Sequence, residues 1–372
     1  MTDLSVLDPV GLVGLDDATL ATLLGATRVW ARRTDEVDYD LDTITTQARW
    51  WVSGRLERDG ATEDFRLVAK VLRSADRSPV WTMIPPEHRA DALEMLDWRV
   101  EPAVYASDLA EHLPPDLTMP RCYAVSPVDE GSAVLWLEAV TGAVPTWGDA
   151  DLARAARALG RLAGSAAVAG VADRVGHPYG PVQARRYWQG RLSGQFGTAY
   201  RDAGLWRHPV LAAEVDAGTR ARILGLLDAA PALVAEIETL PLLSGHGDGC
   251  ANNLLLTPAA VVGIDWAFFS RLPMGFDLTQ LVVSDVELGR AAAATLPHRQ
   301  AVAVPAYAAG LADEGFAVDP DVLLRAHRVQ AALAAGVAVI PLERLGEDPR
   351  TLGPLVRERL VLLDGLLTPL GL

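Results

Sequence analysis

The hydrophobic periodicity of this chain changes near residue 140. Before that point, short segments rich in Val and Trp alternate apolar with polar residues, which predicts β-strands. After it, apolar residues recur at every third or fourth position, which predicts amphipathic helices. The change falls between Glu138 and Val144, where Gly142 interrupts the pattern. We therefore expect an α+β protein with a strand-rich part over residues 1–140 and a mainly helical part over residues 141–372.

Turn residues divide each part into elements. Asp59-Gly60 predicts a tight turn between two strands, and Asp16 is a candidate N-cap for a first short helix. In the second part, one hairpin from Asn253 to Ile264 interrupts the helices. The predicted strands of the first part are Thr27 to Asp40, Ala48 to Glu57, Phe65 to Arg73, Arg121 to Val128 and Ser132 to Glu138. The predicted helices are Glu87 to Leu113, Asp151 to Ala169, Pro181 to Ala203, Pro209 to Ala229, Leu278 to Ala294, His298 to Glu314, Pro320 to Ile340 and Arg350 to Leu367.

Composition restricts the class of partner. Half of the 372 residues are hydrophobic, so the chain can bury a sizeable core. The formal charge of −15 argues against nucleic acid and anionic membranes as partners and would suit a cationic ligand. Cys122 and Cys250 lie far apart, the first residues show no export signal, and no apolar run reaches membrane length. We expect a cytoplasmic protein.

Lys70 is the only lysine among 33 basic residues. It lies in the apolar strand Leu67 to Leu72, and a buried ammonium needs an anionic partner. Nucleotide phosphates and a helix glutamate are two natural partners, and Glu101 is the first candidate, with Glu94 second. Pro102 fits if a helix begins just before it. The alternatives are an edge-strand lysine that reaches solvent, or a lysine retained by chance.

The segment from His246 to Asn253, with Asp265 twelve residues later, carries three groups that phosphoryl transfer requires. Asp248 is the candidate base that would accept a hydroxyl proton. Asn253 and Asp265 would supply a neutral and a charged oxygen to Mg²⁺. His246 would brace the backbone. Alone, His-Gly-Asp could be a surface turn; a metallohydrolase would need clustered histidines, and those of this chain are scattered.

These motifs resemble those of the aminoglycoside phosphotransferase and choline kinase-like group. The resemblance implies a bilobal protein-kinase-like fold with a five-stranded antiparallel N-lobe and a mainly helical C-lobe. It also implies ATP or GTP with Mg²⁺, and transfer of the γ-phosphoryl group to a hydroxyl. The matching segments are Val68-Ala69-Lys70, His246-Gly247-Asp248 with Asn253, Ile264-Asp265-Trp266, and Gly275-Phe276-Asp277-Leu278.

The resemblance assigns further roles. It implies that Asp277 ties the helix it begins to the catalytic loop. It places adenine near backbone groups of Glu138 and Val140. It places the nucleotide loop at Leu41 to Arg49, which contains no glycine, so that hydroxyls would have to meet the phosphates. The candidate hydroxyls are Thr43, Thr45 and Thr46.

Three functions are consistent with these residues. The first is a small-molecule O-phosphotransferase acting on an antibiotic, amino alcohol or sugar, with the acceptor pocket in the helical region Pro145 to Ser244. The second is a kinase of a peptide or protein Ser or Thr. Only eleven residues separate Asp265 from Asp277, which is short for an activation segment and favours a small acceptor. The third is a non-catalytic nucleotide-binding protein, which the presence of Lys70, Asp248 and the two metal candidates disfavours.

Overall fold

A computed structural model of the chain describes residues 15–37, 43–140, 147–178 and 194–372, together with positions 11, 13, 182, 185 and 186. The described residues divide into two compact units, each assembled from separate stretches of the chain. The first unit contains the described residues up to Glu111, those from Thr118 to Val140, and Ile264–Phe268. The second contains His112–Leu117, the described residues from 147 to 263, and Phe269–Leu372.

The first unit is built on an antiparallel sheet. Its described strands number five, in the order β1-β2-β3-β6-β5. This sheet and the helical second unit confirm the predicted α+β class. The predicted end of the first strand, residues 38–40, lies outside the described residues. The strands are β1 (Arg28–Glu36), β2 (Thr46–Arg58), β3 (Ala61–Arg73), β5 (Cys122–Asp129) and β6 (Ser132–Glu138); β4 (Leu117–Thr118) lies outside this sheet.

The turn between β2 and β3 sets the register of the hairpin. Asp59 and Gly60 have φ angles of 51° and 77°, as a two-residue type I′ turn requires. Counting outward from this turn pairs Arg49 on β2 with Lys70 on β3, and the structure has this pair. The two side chains therefore lie on the same face of the sheet.

Strand β3 is buried on both faces near its end. Phe65, Leu67, Ala69 and Val71 face a core that also contains Trp136 of β6. Helix α1 (Asp17–Leu23) contributes Leu20 and Ala21 to this core, and its N-cap Asp16 accepts a hydrogen bond of 2.7 Å from the backbone N–H of Thr19. The opposite face of β3 carries Lys70 and Leu72, which are also buried.

The predicted helical region over residues 87–113 is helical but not one continuous helix. The structure has three helices there: α2 (Arg89–Met95), α3 (Val100–Tyr105) and α4 (Leu109–His112). Pro102 is the third residue of α3, where a backbone N–H has no partner within the helix. Proline is tolerated at that position, which agrees with the expectation that a helix begins just before Pro102.

The second unit is mainly helical. The expected helix Asp151 to Ala169 is two helices, because Ser165 caps the second of them. Asp216 divides the expected helix Pro209 to Ala229 in the same way. Most of the predicted helix from Pro181 lies outside the described residues. The helices are α5 (Asp149–Gly164), α6 (Ala166–Val175), α7 (Gly197–Arg201), α8 (Pro209–Glu214), α9 (Ala217–Glu238), α10 (Phe276–Glu287), α11 (Leu296–Asp313), α12 (Pro320–Ala331) and α13 (Pro349–Leu367).

Short strands in the second unit flank the segment from His246 to Asn253. The predicted hairpin is present as β8 (Leu254–Leu256) and β9 (Val261–Gly263). Two strands were not predicted, β7 (Leu242–Gly245) and β10 (Ser270–Pro273), which pair antiparallel. The residues from His246 to Asn253 therefore link β7 to β8. A separate core, which includes Tyr200, Leu226 and Leu333, stabilises the helices of this unit. In the part of the chain that is described, no helix combines the length and hydropathy needed to cross a membrane.

Candidate functional site

Lys70 forms a buried ion cluster in the first unit. Its Nζ atom donates to both carboxylate oxygens of Glu101, each at 2.7 Å, and lies 2.9 Å from Oδ1 of Asp265. The side chains of Lys70 and Glu101 are 5% and 2% exposed. Glu94, the second candidate partner, lies exposed on α2. Strand β3 and helix α3 thus bring the lysine and Glu101 together.

Burial and charge act against each other in this cluster. Burial opposes the charge on Lys70, but the carboxylates of Asp265 and Glu101 outweigh it and raise the pKa of the ammonium group. Burial raises the pKa of the Glu101 carboxyl against the opposing effect of Lys70. The lysine therefore stays charged and is held against two carboxylates.

Asp265 lies in the short segment Ile264–Phe268, which belongs to the first unit. Its φ of 62° is in the left-handed region, where a non-glycine residue costs about 1–3 kcal/mol and where strained functional residues are often found. One carboxylate oxygen contacts Lys70, and the other lies 3.4 Å from a guanidinium nitrogen of Arg49. Arg49 was not predicted as a site residue. The β2–β3 register around Asp59-Gly60 was the signal that would have placed it beside Lys70.

The segment between β7 and β8 is anchored by Asp277 in the second unit. Asp277 is buried in the first turn of α10, and its two carboxylate oxygens accept hydrogen bonds from the backbone N–H groups of His246 (2.7 Å) and Gly247 (2.9 Å). Burial raises the pKa of Asp277 to about 6 despite these bonds. A Cβ atom at Gly249 would lie 3.2 Å from the Asp277 side chain, so a larger residue there would require Asp277 to shift by a few tenths of an ångström. The structure thus gives Asp277 the structural role that the resemblance implied.

Asp248 and Asn253 meet within this loop. The Nδ2 group of Asn253 donates to a carboxylate oxygen of Asp248 at 2.8 Å and to its backbone carbonyl at 3.0 Å. Both amide hydrogens are then used, so Oδ1 is the atom that Asn253 can offer to a cation. The buried ring of His246 accepts a hydrogen bond from the backbone N–H of Asp248 through Nδ1 (3.3 Å). His246 therefore braces the turn, as expected.

A second support of the loop was not predicted. Asn252 accepts a hydrogen bond from the guanidinium group of Arg290. The same guanidinium donates twice to one oxygen of Asp285, at 3.0 and 2.7 Å. The other oxygen of Asp285 accepts from the buried Arg299 at 3.1 Å. Arg290 and Asp285 are five residues apart, but Asn252 lies 38 residues from Arg290 and Asp285 lies 14 from Arg299, so no local pattern indicates the whole chain of bonds.

The threonines of the predicted nucleotide loop have defined positions. The hydroxyl of Thr43 donates to the backbone carbonyl of Thr46 at 2.7 Å, and Thr46 is buried at the start of β2. Arg73 donates to the carbonyls of Thr43 and Ile44, and its backbone N–H donates to the carbonyl of Thr45. These bonds hold the loop close to the end of β3. Residues Leu41 and Asp42 lie outside the described residues.

The residues expected near adenine lie at the end of β6. The backbone N–H of Glu138 donates to the carbonyl of Arg121 at 2.8 Å, and its carboxylate accepts from the Arg121 N–H at 3.1 Å. The backbone N–H of Glu138 therefore already has an acceptor. Val140 follows the strand and is half-buried.

No protein-family model matches the chain, and no curated protein matches its sequence. Among solved structures, the complex of spectinomycin phosphotransferase with ADP and spectinomycin has a TM-score of 0.50 and 11% identity, covering 95% of this chain and 98% of that chain. An aminoglycoside phosphotransferase from Alicyclobacillus acidocaldarius has a TM-score of 0.49 and 16% identity, covering 92% and 93%. A choline kinase from Cryptosporidium parvum has 0.49 and 11%, covering 91% of each chain. The likeness to the spectinomycin phosphotransferase confirms the protein-kinase-like fold.

Proposed function

We propose that this protein is a Mg²⁺-dependent O-phosphotransferase that moves the γ-phosphoryl group of ATP or GTP to a hydroxyl of a small molecule. The observation that carries the proposal is the buried cluster in which Lys70 contacts both Glu101 and Asp265. A lysine held in this way is a fixed positive charge for phosphate oxygens. The spectinomycin phosphotransferase of similar fold was solved with ADP, which supports a nucleotide as the phosphoryl donor.

In this proposal Asp248 is the catalytic base. Asn253 holds one of its carboxylate oxygens, and the grip of Asp277 on the preceding backbone keeps the loop in place. As the acceptor oxygen forms its bond to the γ-phosphorus, the bond to the β-phosphate oxygen breaks and the nucleoside diphosphate leaves with that electron pair. Asp248 takes the hydroxyl proton and later releases it to water. Such proton transfer contributes about 10²–10⁴-fold to the rate.

The oxygen donors fit a hard cation. Asp265 provides a carboxylate, and Asn253 provides Oδ1, because its NH₂ group is already used on Asp248. One or two protein oxygens with phosphate oxygens and waters are the ligands that Mg²⁺ favours. We propose that Asn253 and Asp265 hold the ion, which when bound would neutralise phosphate charge.

A small acceptor is favoured over a peptide. The residues between Asp265 and Asp277 are all described, and they include strand β10, paired with β7. This leaves little chain for an extended segment that could bind a peptide. The formal charge of −15 favours an acceptor that carries an amine, such as an aminoglycoside or an amino alcohol. A protein of similar fold was solved in complex with spectinomycin.

Two measurements test the proposal. Calorimetric titration with ATP and GTP, with and without Mg²⁺, should show Mg²⁺-dependent binding. Incubation with ATP and a panel of hydroxylated amines should give one product heavier by a phosphoryl group. Asp248→Asn should lower kcat by about 10²–10⁴-fold, and Lys70→Arg should also reduce turnover strongly while the protein stays folded. Asp313 is a surface carboxylate paired with Arg157, so Asp313→Asn is the matched control and should leave turnover unchanged.

The outcomes are separable. If the wild-type protein binds neither nucleotide, the proposal is wrong. If it binds nucleotide but Asp248→Asn turns over as fast as the wild type, Asp248 is not the base. If Lys70→Arg has an unchanged kcat/KM, the single lysine was retained by chance.

A further inference from the structure

Arg49 occupies a position in the first unit that the proposed function does not explain. It faces Lys70 directly across the β2–β3 ladder. Val52 and Leu56 of the same strand point into the core on the other face, so Arg49 and Lys70 lie together on the face that carries the ion cluster. The side chain of Arg49 is 15% exposed. An arginine in so enclosed a position needs an anion.

The anion that Arg49 contacts is shared. Lys70 lies 2.9 Å from one oxygen of Asp265, whereas a guanidinium nitrogen of Arg49 lies 3.4 Å from the other. A charge-assisted hydrogen bond of good geometry is about 2.7–2.9 Å long. The contact of Arg49 is therefore looser than those of Lys70. Arg49 and Lys70 together balance the charges of Glu101 and Asp265, so this cluster by itself has no excess positive charge for a nucleotide.

We propose that Arg49 is a second phosphate-binding cation of the nucleotide site, acting beside Lys70; this inference rests on the proposed function. When Asp265 binds a cation, the loose contact of Arg49 with that carboxylate can be exchanged for a contact with another anionic partner. The phosphates of the nucleotide supply that partner, and the planar fork of a guanidinium matches two phosphate oxygens at once. The loop from Leu41 to Arg49 contains no glycine, so close approach of its backbone amides is restricted. Arg49 would supply by charge what a glycine-rich loop supplies through its amides.

A different role for Arg49 predicts the opposite result. If Arg49 only shields Asp265, it competes with the cation and the nucleotide for that carboxylate. Removing its charge would then tighten the binding of the magnesium nucleotide. If Arg49 binds phosphate, removing its charge weakens binding. The sign of the change therefore separates the two roles.

The test compares ADP with adenosine, which has the same base and ribose but no phosphate. Dissociation constants are measured for the wild type, Arg49→Gln and Arg49→Lys, with Mg²⁺ present, by calorimetry for ADP and by competition for adenosine. Arg55→Gln is the matched control, because Arg55 lies on the same face of β2, pairs with Asp64 and is 54% exposed. Urea unfolding of each variant verifies that the first unit is intact.

We expect Arg49→Gln to weaken ADP binding by about 10- to 100-fold, the loss of one or two hydrogen bonds to a charged group. Arg49→Lys should fall between it and the wild type, and adenosine binding and the Arg55→Gln variant should be unchanged. Unchanged or tighter ADP binding in Arg49→Gln, or an equal loss for adenosine, overturns the inference while the proposed function stands. Failure of the wild type to bind ADP overturns both.

Discussion

Replacing the two charges of the Lys70–Glu101 pair, singly and together, gives a sharp test of the buried cluster. Lys70→Met and Glu101→Met keep the approximate length of each side chain and remove its charge. Lys70→Met leaves Glu101, which is 2% exposed, without its close cation. Removing one partner of a buried pair costs about 3–5 kcal/mol, because the remaining charge is desolvated without compensation.

The other two variants should behave differently. Glu101→Met leaves Lys70 with Asp265 at 2.9 Å, so we expect a smaller loss of about 1–3 kcal/mol. In the double variant the charges of Lys70 and Glu101 are both gone, while Asp265 retains its contact with Arg49. Buried pairs replaced in this way are often neutral or stabilising. We therefore expect the double variant to be at least as stable as Lys70→Met, with a coupling free energy of about 3 kcal/mol.

The assay is equilibrium unfolding in urea, followed by tryptophan fluorescence and far-UV circular dichroism. Coincident transitions are required before a single free energy is assigned. Arg77 and Asp129 provide the control cycle in the same unit, since their carboxylate and guanidinium groups are 2.6 Å apart but 41% and 46% exposed. That exposed pair should show a coupling of no more than about 1 kcal/mol. Additive single losses at Lys70 and Glu101, or equal couplings in the two cycles, would refute the argument from burial.

Three further predictions concern the second unit. His327 is buried and neutral, and burial lowers its pKa to about 3. The free energy of unfolding should therefore fall by up to about 1.4 kcal/mol per pH unit as the pH drops below about 6.5, because the unfolded chain binds a proton there that the folded protein does not. Urea midpoints measured as a function of pH should lose this slope in His327→Gln. Gly160→Ala would bring a Cβ atom into collision with the backbone carbonyl oxygen of Tyr307 on α11 and should lower the melting temperature. Gly225→Ala, with nothing within 4 Å, should instead raise the free energy of unfolding by about 0.5–1 kcal/mol. Asp277→Asn should speed hydrogen exchange of the backbone amides of His246 and Gly247 about tenfold or more, because one of the two amides loses its acceptor. The exchange is measured by mass spectrometry, and unchanged exchange would show that Asp277 does not hold the loop.

Local sequence determined much of the first unit. Alternation located the strands, and two residues that adopt positive φ, Asp59 and Gly60, located the hairpin turn. That turn also sets the register, so the pairing of Arg49 with Lys70 was available from the sequence. Backbone preferences and turn chemistry act over a few residues, which is why they can be read locally. The strands β7 and β10 escaped detection because four residues are too few to show a period.

Tertiary structure alone decided how the charges are paired. Glu101 and Glu94 have the same side chain and both follow β3 in the sequence, but only packing places α3 so that Glu101 contacts Lys70. The same holds for the bonds from Asp277 to the amides of His246 and Gly247, and for the contact of Arg290 with Asn252. Long side chains have many rotamers, and the partner each one finds depends on which backbones come close together. The sequence therefore determined the elements and the chemical groups available, whereas the packed structure determined which of those groups contact one another.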